Sequence, residues 1–243
     1  MSNSSQAGST YDGFAEAYVA RAETNAFNAL YERPAIRALL PSVVGQHVLD
    51  AGCAGGAHSA WLLEQEAKVT ALDVSAHMVA LTRKRLGTRA QVHQADLREP
   101  LSFLEEGSVD IVLSSLTLHY LEHWEPTLKE FHRVLVPGGR LVFSTHHPLA
   151  DCRWVSGGDY LQTERIEQHW EGFTETPVRV SFYRRPLGAI FAALAESGFV
   201  VEQLVEPRPL QEMREQEPEI HARLMKEPWF LLIRASRSQL PRA

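Results

Sequence analysis

The chain has 243 residues, 44% of them hydrophobic and 22% charged, enough for one α/β domain with a modest insertion around a full core. A formal net charge of −6 and a pI near 6.0 exclude the global positive field that draws a protein to nucleic acid or to an anionic membrane. Cys53 and Cys152 are too few for a disulfide framework, no apolar run reaches a membrane span, and residues 1–10 lack the features of a signal peptide, so they read as a disordered tail on a cytoplasmic protein.

Helices are predicted over 12–22 and 31–39. A strand from Val48 then empties into a glycine-rich turn that opens a helix over 58–66. A strand over 68–72 ends in Asp73 and is followed by a helix over 76–86. A strand over 90–93 delivers Asp96 and Leu97, and a strand over 109–113 ends in Ser114 and Ser115. A helix over 126–134, a turn at Pro137-Gly138-Gly139 and a strand over 140–145 complete this part. The alternation of strand and helix implies parallel strands joined by right-handed crossovers. After Pro148 the rhythm changes: 160–170 and 178–183 alternate polar and apolar residues and read as an antiparallel hairpin inserted before a helix over 187–197. Two strands, 199–205 and 229–235, close the chain.

The stretch VLDAGCAGG, Val48 to Gly56, carries the most information. Gly52, Gly55 and Gly56 let the backbone turn tightly and approach a ligand without Cβ interference. Asp73 follows at the distance where a ribose-binding carboxylate is expected. The dinucleotide fingerprint G-x-G-x-x-G is absent; Gly52-x-x-Gly55-Gly56 stands in its place, with Asp50 two residues before the first glycine.

In this glycine turn, and in VTALDVSAHMV, HQADLREPL, VDIVLSSLTLHYL and LKEFHRVLVPGGRLVFST, the chain resembles the class I S-adenosylmethionine-dependent methyltransferases, of the small-molecule, type 11-like kind. The family usually has glycine at the position of Ala54. The resemblance implies an α/β fold: a doubly wound, seven-stranded, mostly parallel sheet with its last strand antiparallel, and an inserted antiparallel hairpin as a cap. It divides residues 11–243, as a single domain, into lid helices (11–40), a cofactor core (46–148), a substrate cap (149–186) and a closing helix and strand pair (187–236). The implied cofactor is S-adenosyl-L-methionine, with S-adenosyl-L-homocysteine as product. The Gly52, Cys53 and Ala54 backbone would serve its amino-acid end, Asp73 the ribose, Asp96 and Leu97 the adenine, and the Ser114 backbone the methionine, with Asp50 and Val74 also among the cofactor-binding residues. Met78 would pack on the adenine face or simply in the core. In the run YDGFAEAYVARAE, Tyr11, Tyr18 and Arg21 stand on one helix face and would meet the cofactor carboxylate, or pack as an ordinary amphipathic surface.

Methyl transfer is an in-line displacement with a good leaving group, so alignment is the protein's main contribution, with proton removal where the nucleophile needs it. His119, His146 and His147 follow the fourth and fifth strands and are the candidate bases. A structural role for His119 stays open beside the catalytic one. No Glu or Cys accompanies the three at ligand spacing, so no metal is expected. In the insertion, Trp154, Tyr160, Trp170, Tyr183 and Arg184 would line an acceptor pocket or build the hairpin's own small core. The reading is a methyltransferase acting on an oxygen, nitrogen or carbon of a small metabolite, without nucleic-acid or membrane partners, as a monomer or homodimer. Its alternatives are a non-catalytic S-adenosylmethionine-binding sensor or assembly protein, and a methyltransferase acting on protein or RNA.

Overall fold

The computed structural model describes residues 13–154, 159–171, 175 and 177–238. Its strands are β1 (His47–Ala51), β2 (Lys68–Asp73), β3 (Gln91–Gln94), β4 (Val109–Ser114), β5 (Leu135–His146), β6 (Glu164–Trp170), β7 (Val178–Arg184), β8 (Phe199–Val205) and β9 (Phe230–Arg237). Seven of them form one sheet in the order β3-β2-β1-β4-β5-β9-β8. Strand β9 runs antiparallel to both β5 and β8, so six strands share one direction and the last opposes them. The remaining pair, β6 and β7, forms a separate antiparallel hairpin in which Ile166, Val180 and Phe182 are buried.

The central strands are short apolar runs, as expected of a parallel sheet covered on both faces. Side-chain alternation splits each strand between two cores. Leu49 and Val112 join Trp124, Leu128 and Phe131 on one side, while Val48 and Ile111 join Tyr31, Ile36 and Leu62 on the other. The helices are α1 (Ala15–Thr24), α2 (Arg33–Leu39), α3 (Ala57–Glu64), α4 (Ala76–Leu86), α5 (Glu125–Val134), α6 (Pro148–Trp154), α7 (Leu187–Glu196), α8 (Glu212–Gln216) and α9 (Pro218–Leu224). The Ser75 side chain caps α4 by accepting the Met78 N–H at 3.2 Å.

Several elements differ from the sequence expectation. The expected helix over 31–39 is split: Asn28–Glu32 forms a π-helical turn that runs into α2. Tyr31, fully buried in that turn, accepts the Trp229 N–H on its hydroxyl at 3.1 Å and so fastens the segment to the sheet. The Pro-Gly-Gly turn lies inside β5, not before it: Val109 pairs with Leu135 but Ile111 with Arg140, so the intervening residues bulge out of register. Gly139 permits this, since a Cβ there would stand 2.9 Å from the Val136 carbonyl oxygen. Strand β6 begins at Glu164, because Asp159 turns the chain by accepting the Leu161 N–H on its side chain and the Gln162 N–H on its carbonyl. Helices α6, α8 and α9 carried no sequence expectation. No described helix is long and apolar enough to cross a membrane.

Because β1 lies between β2 and β4, the strand order reverses beside it. A crevice therefore opens at the carboxyl ends of β1 and β4.

Candidate active site

The glycine turn builds one wall of that crevice. Gly52 has φ +87°, and a Cβ on it would lie 2.2 Å from Thr117 Oγ1. The N–H groups of Gly52 and Cys53 both reach the Leu72 carbonyl at 2.9 Å. Ala54, standing where the family has glycine, takes φ +46°. It is held there because its N–H donates to Asp73 Oδ2 at 2.9 Å and its carbonyl accepts the Thr82 hydroxyl at 2.6 Å. The other Asp73 oxygen accepts the Ser75 N–H at 2.9 Å, which orients the carboxylate at the crevice. Gly55 brings α1 down onto the turn: a Cβ there would meet Val19 at 2.6 Å.

The resulting cavity measures about 180 Å³. Of the sequence candidates, Tyr18, Gly52, Cys53, Ala54, Asp73, Val74, Met78, Asp96 and Leu97 line it. Burial alone would raise the Asp96 carboxyl, but the Arg98 guanidinium, 2.5 Å from Oδ2, and the Arg98 N–H outweigh it and hold the group below its ordinary value.

Other candidates lie elsewhere. Arg21 points away from the cavity and donates to the Glu171 carbonyl at 3.0 Å. Asp50 is buried beneath the turn, accepts the Ser59 hydroxyl at 2.5 Å, and has its pKa pushed up to about 6 by desolvation. The Ser114 hydroxyl donates to the Ala51 carbonyl at 3.0 Å, and the next residue, Ser115, faces the cavity instead. Tyr11 lies outside the described residues, as does the side chain of Trp154.

None of the three candidate bases lines the cavity. His119 stacks on His146 at 4.0 Å with the Phe182 edge against both rings, and burial drives its pKa well below the ordinary value. His146 Nδ1 stands 3.4 Å from a buried Asp151 oxygen. His147 accepts the Leu149 N–H on Nδ1 at 3.1 Å, at the start of α6, so its Nε2 carries the proton donated to Glu206 Oε1 at 2.9 Å. Among the described residues no group of His, Cys, Asp and Glu is arranged to hold a metal ion.

The cap residues are engaged with their neighbours and not with the cavity. The Tyr160 hydroxyl accepts the Leu187 N–H at 3.2 Å, Trp170 Nε1 donates to Gln168 at 3.1 Å, and the Tyr183 hydroxyl donates to Glu122 at 3.2 Å. Arg184, buried, bridges Glu164 Oε2 at 2.7 Å and the Asp159 carbonyl. Arg185 ties the hairpin to the loop after β4: its guanidinium lies 4.2 Å over Trp124 and donates to the Leu121 carbonyl.

Sequence reasoning passed over Asn28, Glu32, His58, Ser115, Leu116, Thr117 and Tyr120 as site residues and read Arg33, before Pro34 at a helix start, as structural, yet all of them line the cavity. The position just past β4 was a usable signal for Ser115 to Thr117. Nothing local marks Glu32 and Arg33, which reach the crevice only because the π-helical turn docks on the sheet. The lining fits an adenosyl amino acid: a glycine turn that lets the backbone come close, two carboxylates at successive strand ends, apolar Leu97 and Met78 beside them, and the ionisable Glu32 and Arg33.

A family model described as a methyltransferase domain matches residues 49–143. A solved S-adenosylmethionine-dependent methyltransferase from Mesorhizobium loti is 32% identical, with a TM-score of 0.71 over 89% of this chain and 100% of that one. An uncharacterized Haemophilus influenzae protein is 31% identical over 216 residues, 81% of this chain and 84% of its own. A malonyl-[acyl-carrier protein] O-methyltransferase of Enterobacter lignolyticus is 37% identical over 112 residues, which span 46% of this chain and 43% of the relative.

Proposed function

The chain belongs to the class I S-adenosylmethionine-dependent methyltransferases, and from that premise we propose that it transfers a methyl group to an oxygen, nitrogen or carbon of a small metabolite. The observation that carries this reading is the cavity running from Asp96 and Asp73 past the glycine turn to Ser115, in a chain whose net charge of −6 argues against RNA as the acceptor. When bound, S-adenosylmethionine supplies an electrophilic methyl carbon on a sulfonium. The chain's residues do the rest. Asp73 accepts the ribose hydroxyls, Asp96 and Leu97 take the adenine with Met78 against its face, and α1 with Tyr18 covers the cavity and excludes water.

Since His119, His146 and His147 do not border the cavity, alignment carries the rate and these histidines act as packing and positioning groups. The relative named for malonyl-[acyl-carrier protein] puts small malonyl thioesters first among the acceptors to try. Calorimetric titration with S-adenosylmethionine, S-adenosylhomocysteine and NAD tests the cofactor: the first two bind and NAD does not. A screen of small acceptors with methyl-labelled cofactor then tests catalysis. Binding without S-adenosylhomocysteine formation from any acceptor would convert the reading to a sensor.

A further inference from the structure

The loop between β4 and α5 is a wall with two faces. From it Ser115, Leu116, Thr117, Tyr120 and Leu121 line the cavity. Leu116, at φ +47°, donates its N–H to the Ser144 hydroxyl at 2.9 Å, and buried Trp124 folds the loop back by donating from Nε1 to the Leu118 carbonyl at 2.7 Å. The other face meets the cap. His119, beside Tyr120 in the chain, turns its ring to the edge of Phe182 on β7. The Tyr183 hydroxyl donates to Glu122 at 3.2 Å. Arg185, just past β7, donates from Nη2 to the Leu121 carbonyl and, at 3.5 Å, to the Glu122 carbonyl, while its guanidinium lies 4.2 Å over Trp124. Leu121 therefore borders the cavity while its carbonyl is held from the cap.

Arg185 is only 8% exposed, no carboxylate bonds to it among the described residues, and its Nε has no hydrogen-bond partner among them. Burial lowers its pKa to about 10, so it stays a cation at neutral pH. A cation buried in this way is destabilising, and an apolar contact would join cap and loop with less penalty. The planar fork does what an apolar contact does not: it fixes two successive carbonyls and a ring in one geometry. Arg184, next to it, bonds to Glu164 on β6 at 2.7 Å, so both strands of the hairpin share the restraint. We propose that Arg185 is a positioning residue through which the cap sets the wall of the cavity, so that cofactor in the cavity orders the cap hairpin. A ligand resting against Tyr120 and Leu121 restrains the loop, the restrained loop holds Arg185, and Arg185 holds β7, with the coupling equal in reverse. The cap is then formed for an acceptor only when the cavity is filled. This assignment rests on the methyltransferase reading.

Plain docking of the hairpin must be told apart from this role. Phe182 is fully buried, with its edge against His119 and His146, whatever the cavity holds. Docking of that kind sets how stable the hairpin is. It does not make that stability depend on a ligand that the hairpin does not border.

The test is amide hydrogen exchange at neutral pH, with and without saturating S-adenosylhomocysteine, beside calorimetry with the same ligand. In the wild-type protein the ligand should slow exchange in residues 115–124 and, by at least about fivefold, in residues 164–170 and 178–184, none of which lines the cavity. Arg185→Met should reduce the hairpin's response to less than about twofold, keep that of residues 115–124, and bind S-adenosylhomocysteine at least about fivefold more weakly. Tyr183→Phe, which drops only the exposed bond to Glu122, should keep the response. Where Arg185→Met does not fold, Arg185→Lys takes its place: a point charge that serves one carbonyl should at least halve the response. A wild-type hairpin that ignores the ligand overturns the proposal. So does a response that survives the Arg185 substitution, or one that Tyr183→Phe removes as well. Failure of the wild-type protein to bind S-adenosylhomocysteine would instead overturn the methyltransferase reading itself.

Discussion

Asp73 shows how one side chain is tied into the fold while it lines the cavity. Its two oxygens take the N–H groups of Ala54 and Ser75, and the residue lines the cavity. Replacing it with Ala should weaken S-adenosylhomocysteine by tenfold or more, since a hydrogen bond to a charged group contributes about 1.5–3 kcal/mol. Calorimetry reads this directly, and unchanged affinity would remove Asp73 from the ribose contact. Gly52 tests the cradle from the other side. An added methyl would meet Thr117 Oγ1 at 2.2 Å on a backbone already at φ +87°. Gly52→Ala should therefore lower stability by about 1–3 kcal/mol and abolish cofactor binding, checked by thermal melts and calorimetry on the same sample. Among single residues, the places of Gly52, Gly55 and Asp73 at the cavity were legible in the sequence because backbone geometry a few residues away sets them. The histidines were not. A position after a strand places a residue at the rim of the sheet, but not on the side its ring will take, and His119 turned to His146 and Phe182 while its neighbour Tyr120 took the cavity wall.

The elements themselves followed periodicity closely where that signal is local. Helix α4 and strand β8 have the expected bounds, since an N-cap serine before α4 and the β-branched valines of β8 act within a few residues. Ser75→Ala should cost about 1 kcal/mol, a Tm lower by about 2–4 °C in a chain of this size, with the cap bond to Met78 lost. A Tm unchanged in that variant would mean that the buried hydroxyl carries no net cap energy. The N-terminal segment was less legible. Its π-helical turn has no sequence period of its own and is imposed by Tyr31 docking on the backbone of Trp229. That docking delivers Glu32 and Arg33 to the cavity. In the cap hairpin, the expected aromatic and basic residues bond to other neighbours, as Arg184 does to Glu164, and Arg185 reaches the core loop by stacking on Trp124 and donating to the Leu121 carbonyl.

For the whole molecule, the buried titratable groups predict how stability follows pH. His58, with a folded pKa of about 3 against an ordinary 6.5, and His119, driven well below 6.5, both take up protons more readily when unfolded. Stability is therefore fully present above pH 6.5 and falls as pH drops below it, by about 1.4 kcal/mol per pH unit for each such proton. Asp50, raised from 3.8 to about 6, has the opposite sign: its folded state holds the proton more tightly, so it offsets part of the loss below pH 6. The loss per pH unit should thus grow as pH falls from 6.5 toward 6 and then level off, where Asp50 offsets one of the two histidine protons. Denaturant melts across that range should show a shallower slope in His119→Asn, by up to about 1.4 kcal/mol per pH unit; an unchanged slope would mean that His119 is not the group titrating.

By itself the sequence determined the alternation of strand and helix, the glycine turn and the carboxylates at the ends of β2 and β3, because each depends on short-range backbone geometry and on spacing along the chain. Only the tertiary structure decided which side chains share the cavity. Glu32, Arg33, His58 and Ser115 come from three segments far apart in the chain, and they meet because burial of Tyr31 and the reversal of strand order beside β1 bring those segments to one edge of the sheet.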